Sequence, residues 1–349
     1  MAGPILAGHS LDVSPDTPEQ FHMKPNYATL VLGGGGSRGV AHLGAIEELR
    51  AAGVQAERIV GVSSGGIAGA MFAFEPDVSV LVRRTVDFLG SPEFCRHREQ
   101  LLGAHPRPAS QSVSGLRARY NRFTELVQAN RLFYRAVRHS SLLAGEILEH
   151  VIDRLLPDAQ IEEARIPLSI VAVDLNSGRP VIFERGPLRV AARASASVPG
   201  VFPPVPLDGR LLCDIGGFCA LPLGIARSYG PRYVIAVDVG SNLKPLSSTP
   251  TALEVLMRMN DIGAGMFREQ LRAEADLTIV PDVAEVPWFD FTGVEAMIEA
   301  GRAAARTALA SLPAPQSWFQ RLLRETRLPA ALRNGNGARL RHDAAEFHL

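Results

Sequence analysis

The strongest constraint on the fold is a repeated succession of short apolar run, glycine turn and helix-spaced segment between Ala28 and Phe74. Ala28–Leu32 is apolar and runs into Gly33–Gly36, which reads as a buried strand opening into a glycine loop. Val40–Ala52 then places Val40, Leu43, Ile46 and Leu49 on one helical face, and Gly53 marks its stop. Arg58–Val62 repeats the strand, Gly61–Gly66 the turn, and Ile67–Phe74 starts a second helix. Such alternation predicts a mostly parallel central sheet between two helical layers, a three-layer α/β/α architecture. Further strands are predicted at Leu168–Val173, Val181–Phe183, Leu211–Cys213, Val234–Val237 and Leu277–Val280, with helices near 251–275 and 293–312. No linker interrupts them, so one elaborated domain is expected over residues 28–312.

Three segments depart from this pattern. Residues 1–27 are polar and proline-containing and are expected to form a flexible leader. Residues 75–145 carry helical patterns broken by prolines and serines and are expected to form a helical insert over the sheet. Nine arginines lie between Pro92 and His139, against Glu93, Glu99 and Glu125. Residues 313–349 form a polar tail in which 317–328 places Trp318, Phe319, Leu322 and Leu323 on one helical face. Both the insert and this helix are candidates for peripheral contact with a membrane.

Composition narrows the function classes. The hydrophobic fraction of 46% excludes wholesale disorder. The 36 basic and 36 acidic residues cancel, which excludes a general nucleic-acid binder. Cys95, Cys213 and Cys219 make neither a disulfide framework nor a CxxC metal pair. With no signal peptide and no membrane-spanning run in evidence, a cytoplasmic protein is expected, without metal or cofactor.

Two glycine motifs offer rival chemistries. Gly34-Gly35-Gly36-Ser37-Arg38-Gly39 satisfies the dinucleotide-binding pattern GxGxxG between a strand and a helix. That chemistry also needs an acidic residue at the far end of the second strand; Glu57 has roughly the spacing but is placed before the strand. Gly61-Val62-Ser63-Ser64-Gly65 satisfies GxSxG in the strand-to-helix setting of a nucleophile elbow, with Ser63 as nucleophile and Gly61 and Gly65 making room for the turn. A hydroxyl nucleophile needs a base. Of the histidines only His342 and His348 come late enough for a Ser-Asp-His order, and both fall in the polar tail. His42 reads as structural. Asp214, ending the predicted strand Leu211–Cys213, is the candidate carboxylate, although Asp174 and Asp238 also end strands.

Gly34–Gly39, Gly61–Gly65, Asp214 and the run Ala192-Arg193-Ala194-Ser195-Ala196-Ser197-Val198-Pro199-Gly200-Val201-Phe202-Pro203-Pro204 together resemble the patatin-like phospholipases, particularly their compact bacterial branch. The resemblance implies a patatin-like fold and a serine lipid acyl hydrolase, of phospholipase A or esterase type, acting on phospholipid or another acyl ester. It implies a Ser-Asp dyad in which Ser63 forms the acyl-enzyme and Asp214 is the base. It also implies an oxyanion hole from the loop Gly34, Gly35, Gly36, Ser37, Arg38 and Gly39, with Arg38 supporting that loop or meeting a lipid phosphate. Two positions differ from the family's pattern: Ile215 stands where a glycine is usual after the aspartate, and Ala220 where an asparagine is common. An isoleucine is expected to resist positive φ and to crowd the base. These two positions motivate an alternative, a patatin-fold protein that binds lipid or a partner with little turnover. A dinucleotide-binding oxidoreductase is the third reading.

Overall fold

A computed structural model describes residues 27–96, 141, 143–216, 218–240 and 252–312. Residues 1–26 of the expected leader, residues 97–140 of the expected insert, and the tail with its 317–328 segment lie outside the described residues.

The sheet contains β1 (Tyr27–Leu32), β2 (Gln55–Val62), β3 (Leu168–Asp174), β4 (Pro180–Phe183), β5 (Val205–Leu207), β6 (Arg210–Cys213), β7 (Val234–Val237) and β8 (Leu277–Ile279). Their order is β5-β6-β3-β2-β1-β7-β8, with β4 also paired to β3. β1 pairs in parallel with β2 and β7, β2 with β3, and β7 with β8. β4, β5 and β6 join antiparallel. The helices are α1 (Ala41–Ala51), α2 (Ser64–Phe74), α3 (Val78–Leu89), α4 (Glu146–Leu155), α5 (Leu188–Ala196), α6 (Leu223–Ser228), α7 (Ala252–Arg272) and α8 (Val294–Ala310).

Strand alternation divides the core in two. Leu30, Leu32, Ile59, Ile170, Ile235 and Val237 face one layer, which buries side chains of α1 to α5 and α8. Val31, Val60, Val62, Val171, Val234 and Ala236 face the other, against Leu223 and Ala226 of α6. Central strands buried on both faces read as continuous apolar runs, the pattern that marked β1. Each fully buried leucine or isoleucine contributes about 1.5–3 kcal/mol, so the core rather than helix propensity holds the layers together.

Three differences from the sequence reading bear on the site or the sheet. β2 begins at Gln55, so Glu57 lies within it, exposed, and accepts a hydrogen bond from Thr29 Oγ1 at 3.2 Å. This places Glu57 at the end of the sheet opposite the glycine loop, and the dinucleotide reading loses its ribose-binding acid. α2 begins at Ser64 rather than Ile67, because tertiary packing overrides the poor helix propensity of Gly65 and Gly66. β5 is an unpredicted strand of 3 residues, too short to show alternation and interrupted by Pro206.

Chain order reverses across β1, whose two parallel neighbours β2 and β7 lie on either side. Such switch points open a crevice at the carboxyl ends of the strands. Both glycine motifs emerge there, the first after β1 and the second after β2.

Candidate active site

Ser63 sits between β2 and α2 with φ 54° and ψ −128°. A non-glycine residue in this region costs about 1–3 kcal/mol of backbone strain, retained only where the surroundings over-determine it. Several contacts do so. A Cβ on Gly65 would lie 2.2 Å from the Leu32 carbonyl oxygen, so only glycine lets α2 settle this close to β1. The Ser63 carbonyl accepts from Ile67 N–H at 3.1 Å, joining the elbow to the first turn of α2. On the other side, the Ser195 hydroxyl accepts the Ser63 N–H at 2.8 Å.

Asp214 follows β6 and is buried, with the Ser63 side chain near enough to its carboxylate to favour the ionised form. The Gly216 N–H donates to its Oδ1 at 2.6 Å. Burial raises its pKa from 3.8 to about 6, although the Ser63 side chain and the Gly216 N–H favour the ionised form. A carboxylate with its pKa near 6 can accept a proton at neutral pH.

Asp214 reaches Ser63 for a different reason from the one its position implied. β6 is antiparallel to β3 and overlaps it only at Val173↔Cys213 and Asp174↔Leu212. It hooks over the end of β3 and turns Asp214 back toward the crevice, where a parallel strand would simply have ended. The other two strand-end aspartates are committed elsewhere. Asp174 accepts from Asn176 N–H, Ser177 N–H and hydroxyl, and Leu211 N–H. Asp238 is bound by Arg272 at 2.6 Å and faces Arg268 at 3.6 Å.

The glycine loop narrows the expected oxyanion hole. The Gly34 N–H donates to the Ala220 carbonyl at 2.9 Å, and the Ser37 N–H to the Trp288 carbonyl at 2.7 Å. These two amides are occupied by bonds to distant carbonyls. The Gly35 N–H donates to Ser64 Oγ at 3.1 Å, a side chain that can rotate away. The N–H groups of Gly36 and Ser64 meet no acceptor among the described residues. Gly36 has φ 62°, and a Cβ there would lie 2.2 Å from the Trp288 carbonyl oxygen, so glycine is required. Arg38 is a brace: its Nε donates to the Gly35 carbonyl at 3.0 Å. Burial, then nearby Arg268, lowers its pKa to about 10, which leaves it cationic at neutral pH. His42 holds the same loop from behind, its Nε2–H donating to the Gly33 carbonyl at 2.8 Å. Full burial lowers its pKa to about 4, so it stays neutral. It plays the structural role expected of it.

Both departures around Asp214 are accommodated. Ile215 is not among the residues with positive φ, and its side chain is buried against the second apolar cluster beside Val62, Val171 and Leu221. The glycine that the aspartate needs is Gly216, where a Cβ would lie 2.9 Å from Asp214 Oδ1. Ala220 serves through its backbone carbonyl, which any residue could supply. The alternative of a binding protein with little turnover thereby loses the two positions that motivated it. Ile215→Gly is expected to cost about 3 kcal/mol or more of stability by opening a cavity, with no gain in hydrolysis. Urea unfolding and an esterase assay of the variant check this; a more active variant would contradict it.

An apolar cavity of about 140 Å³ begins at Ser63 and Gly36 and runs between Leu43, Met71, Phe94 and Phe202. No helix among the described residues is long and apolar enough to cross a membrane.

An uncharacterized NTE family protein of Mycobacterium tuberculosis is 31% identical over 310 residues, covering 81% of this chain and 46% of that protein. Patatin-like phospholipase domain-containing protein 6 of Homo sapiens is 31% identical over 264 residues, covering 75% of this chain and 16% of that protein. The chain thus spans less than half the length of these curated relatives. Among solved structures, VipD from Legionella pneumophila matches with a TM-score of 0.38 and 13% identity, over 82% of this chain and 67% of that one. The family model for patatin-like phospholipase matches residues 30–227, a span that takes in the glycine loop, the serine elbow and Asp214. With the mixed, mostly parallel sheet and the motifs placed at its crevice, this establishes that the chain belongs to the patatin-like phospholipase family.

Proposed function

We propose that this protein is a serine lipid acyl hydrolase, a carboxylic-ester hydrolase of phospholipase A or esterase type, working through a Ser63–Asp214 dyad. The observation that supports the proposal is the placement of Ser63, on a positive-φ turn, beside the buried Asp214 carboxylate, whose pKa burial raises to about 6. In acylation, Ser63 Oγ attacks the ester carbonyl while its proton passes to Asp214. The oxyanion that forms is held by the N–H groups of Gly35, Gly36 and Ser64, at the amino end of α2. Collapse of this intermediate breaks the ester bond, and the proton on Asp214 goes to the departing alcohol oxygen. In deacylation, water gives a proton to Asp214 and attacks the acyl-enzyme, and Ser63 recovers its proton as the fatty acid leaves. The apolar cavity beginning at Ser63 receives the acyl chain, and peripheral contact with a membrane delivers the lipid.

The test is a lipid and p-nitrophenyl ester panel run on wild type and Ser63→Ala. Hydrolysis by the wild type that falls at least about 10³-fold in the variant is expected. Comparable rates in the two would remove Ser63 from the mechanism. The same reading sets a pH dependence. Asp214 acts only when ionised, so kcat/KM should rise as pH increases through about 6 and level off above it. A profile that is flat or falling across this range, measured on a soluble ester, would contradict Asp214 as base.

A further inference from the structure

We infer that the last turn of α5 sets the spacing between nucleophile and base, with Ser195 as the positioning residue for Ser63. This inference rests on the proposed Ser63–Asp214 dyad.

The β2–β3 ladder ends at the pair Val62↔Val171. The next residue, Ser63, turns away with positive φ, so its N–H cannot continue the ladder to β3. The Ser195 hydroxyl closes this gap. Its Oγ accepts the Ser63 N–H at 2.8 Å and donates its own proton to the Val171 carbonyl at 2.6 Å. The side chain is fully buried, so water does not compete for either bond. A group there must accept and donate at once, which a hydroxyl does and a methyl cannot.

The same turn also holds the base. Two residues beyond Ser195, the Ser197 carbonyl accepts the Asp214 N–H at 2.9 Å. Ser197 Oγ in turn donates to the Arg193 carbonyl at 2.8 Å, which ties this turn back onto α5. One rigid element thus grips the elbow through a side chain and the carboxylate through the backbone. Nucleophile and base come from strands separated by β3, and this turn spans between them. A misplacement of about 1 Å at such a site can cost about 100-fold in rate.

The experiment measures the rate constant for fluorophosphonate labelling, together with kcat and KM on a soluble ester, for wild type, Ser195→Ala, Ser195→Thr, Ser195→Cys and Ser63→Ala. Ser195→Ala is expected to slow labelling and kcat by about 10- to 100-fold with KM within about twofold, while Ser195→Thr, which keeps the hydroxyl, recovers most of the rate. A merely structural role would lower the fraction of protein that labels, not the rate constant of the fraction that does. Folded Ser195→Ala with labelling and kcat within about threefold of wild type would overturn the inference. If Ser195→Ala does not fold, Ser195→Thr faster than Ser195→Cys is the supporting result, and equal rates overturn it. Labelling and hydrolysis that persist in Ser63→Ala would instead defeat the dyad itself, whatever the Ser195 variants do.

Discussion

Asp214→Asn is expected to remove at least about 10³-fold of kcat while making the protein more stable. The two effects have one origin. Burial raises the Asp214 pKa from 3.8 to about 6, so the folded state binds this proton more tightly than the unfolded chain does. The stabilisation that goes with the protonated form is complete below pH 3.8 and is lost as pH rises to about 6. At neutral pH the fold therefore carries a buried anion at a cost of about 3 kcal/mol, roughly 1.4 kcal/mol for each pH unit of the displacement. Asparagine keeps the oxygen that accepts from Gly216 N–H and discards the charge. Its gain in melting temperature should accordingly be largest above about pH 6 and vanish toward pH 4. Thermal unfolding of wild type and variant across that range, beside their esterase rates, checks both halves. A variant that is both active and less stable would separate Asp214 from the chemistry.

The second large effect is expected at Gly65. A Cβ there would lie 2.2 Å from the Leu32 carbonyl oxygen and 2.6 Å from that of Gly33, and neither is the end of a flexible side chain. Gly65→Ala must push α2 away from β1 or displace the glycine loop. We expect a loss of about 3 kcal/mol or more and, in whatever folds, hydrolysis reduced by at least about 100-fold. Gly178→Ala is a useful contrast in the same assays. That glycine has φ 69° but open space around it, so a smaller loss without effect on kcat is expected there. Equal effects at the two positions would show that the close approach at Gly65 has no special consequence.

The parts of this molecule that are local in sequence are the ones sequence reasoning reaches. Apolar runs ending in glycine locate β1, β2 and both loops, because a strand buried on two faces leaves little choice of residue. The elbow at Ser63 is likewise local, since strand, small residues and helix are contiguous. Resemblance singles out Asp214, whereas strand position alone does not distinguish it from Asp174 and Asp238. Its approach depends on an antiparallel strand overlapping β3 by two pairs, a pairing with no local signature. The amides of the glycine loop behave the same way. Gly34 and Ser37 lose their amides to the carbonyls of Ala220 and Trp288, which are distant in the chain. Ile215 looks disruptive when aligned with a family glycine, but the turn after Asp214 places its demand for a small residue on Gly216 instead. Ser195 has no signal of its own in the sequence, because a serine among alanines is unremarkable in a helix. The usable clue is that it interrupts the buried face formed with Ala191, Ala192 and Ala194.

Mapping the adduct of a fluorophosphonate probe by peptide mass spectrometry tests the central claim most directly. The account predicts a single modified residue, Ser63, with labelling abolished in Ser63→Ala and slowed in Asp214→Asn. An adduct on Ser64 or elsewhere, or labelling undiminished in Ser63→Ala, would contradict it.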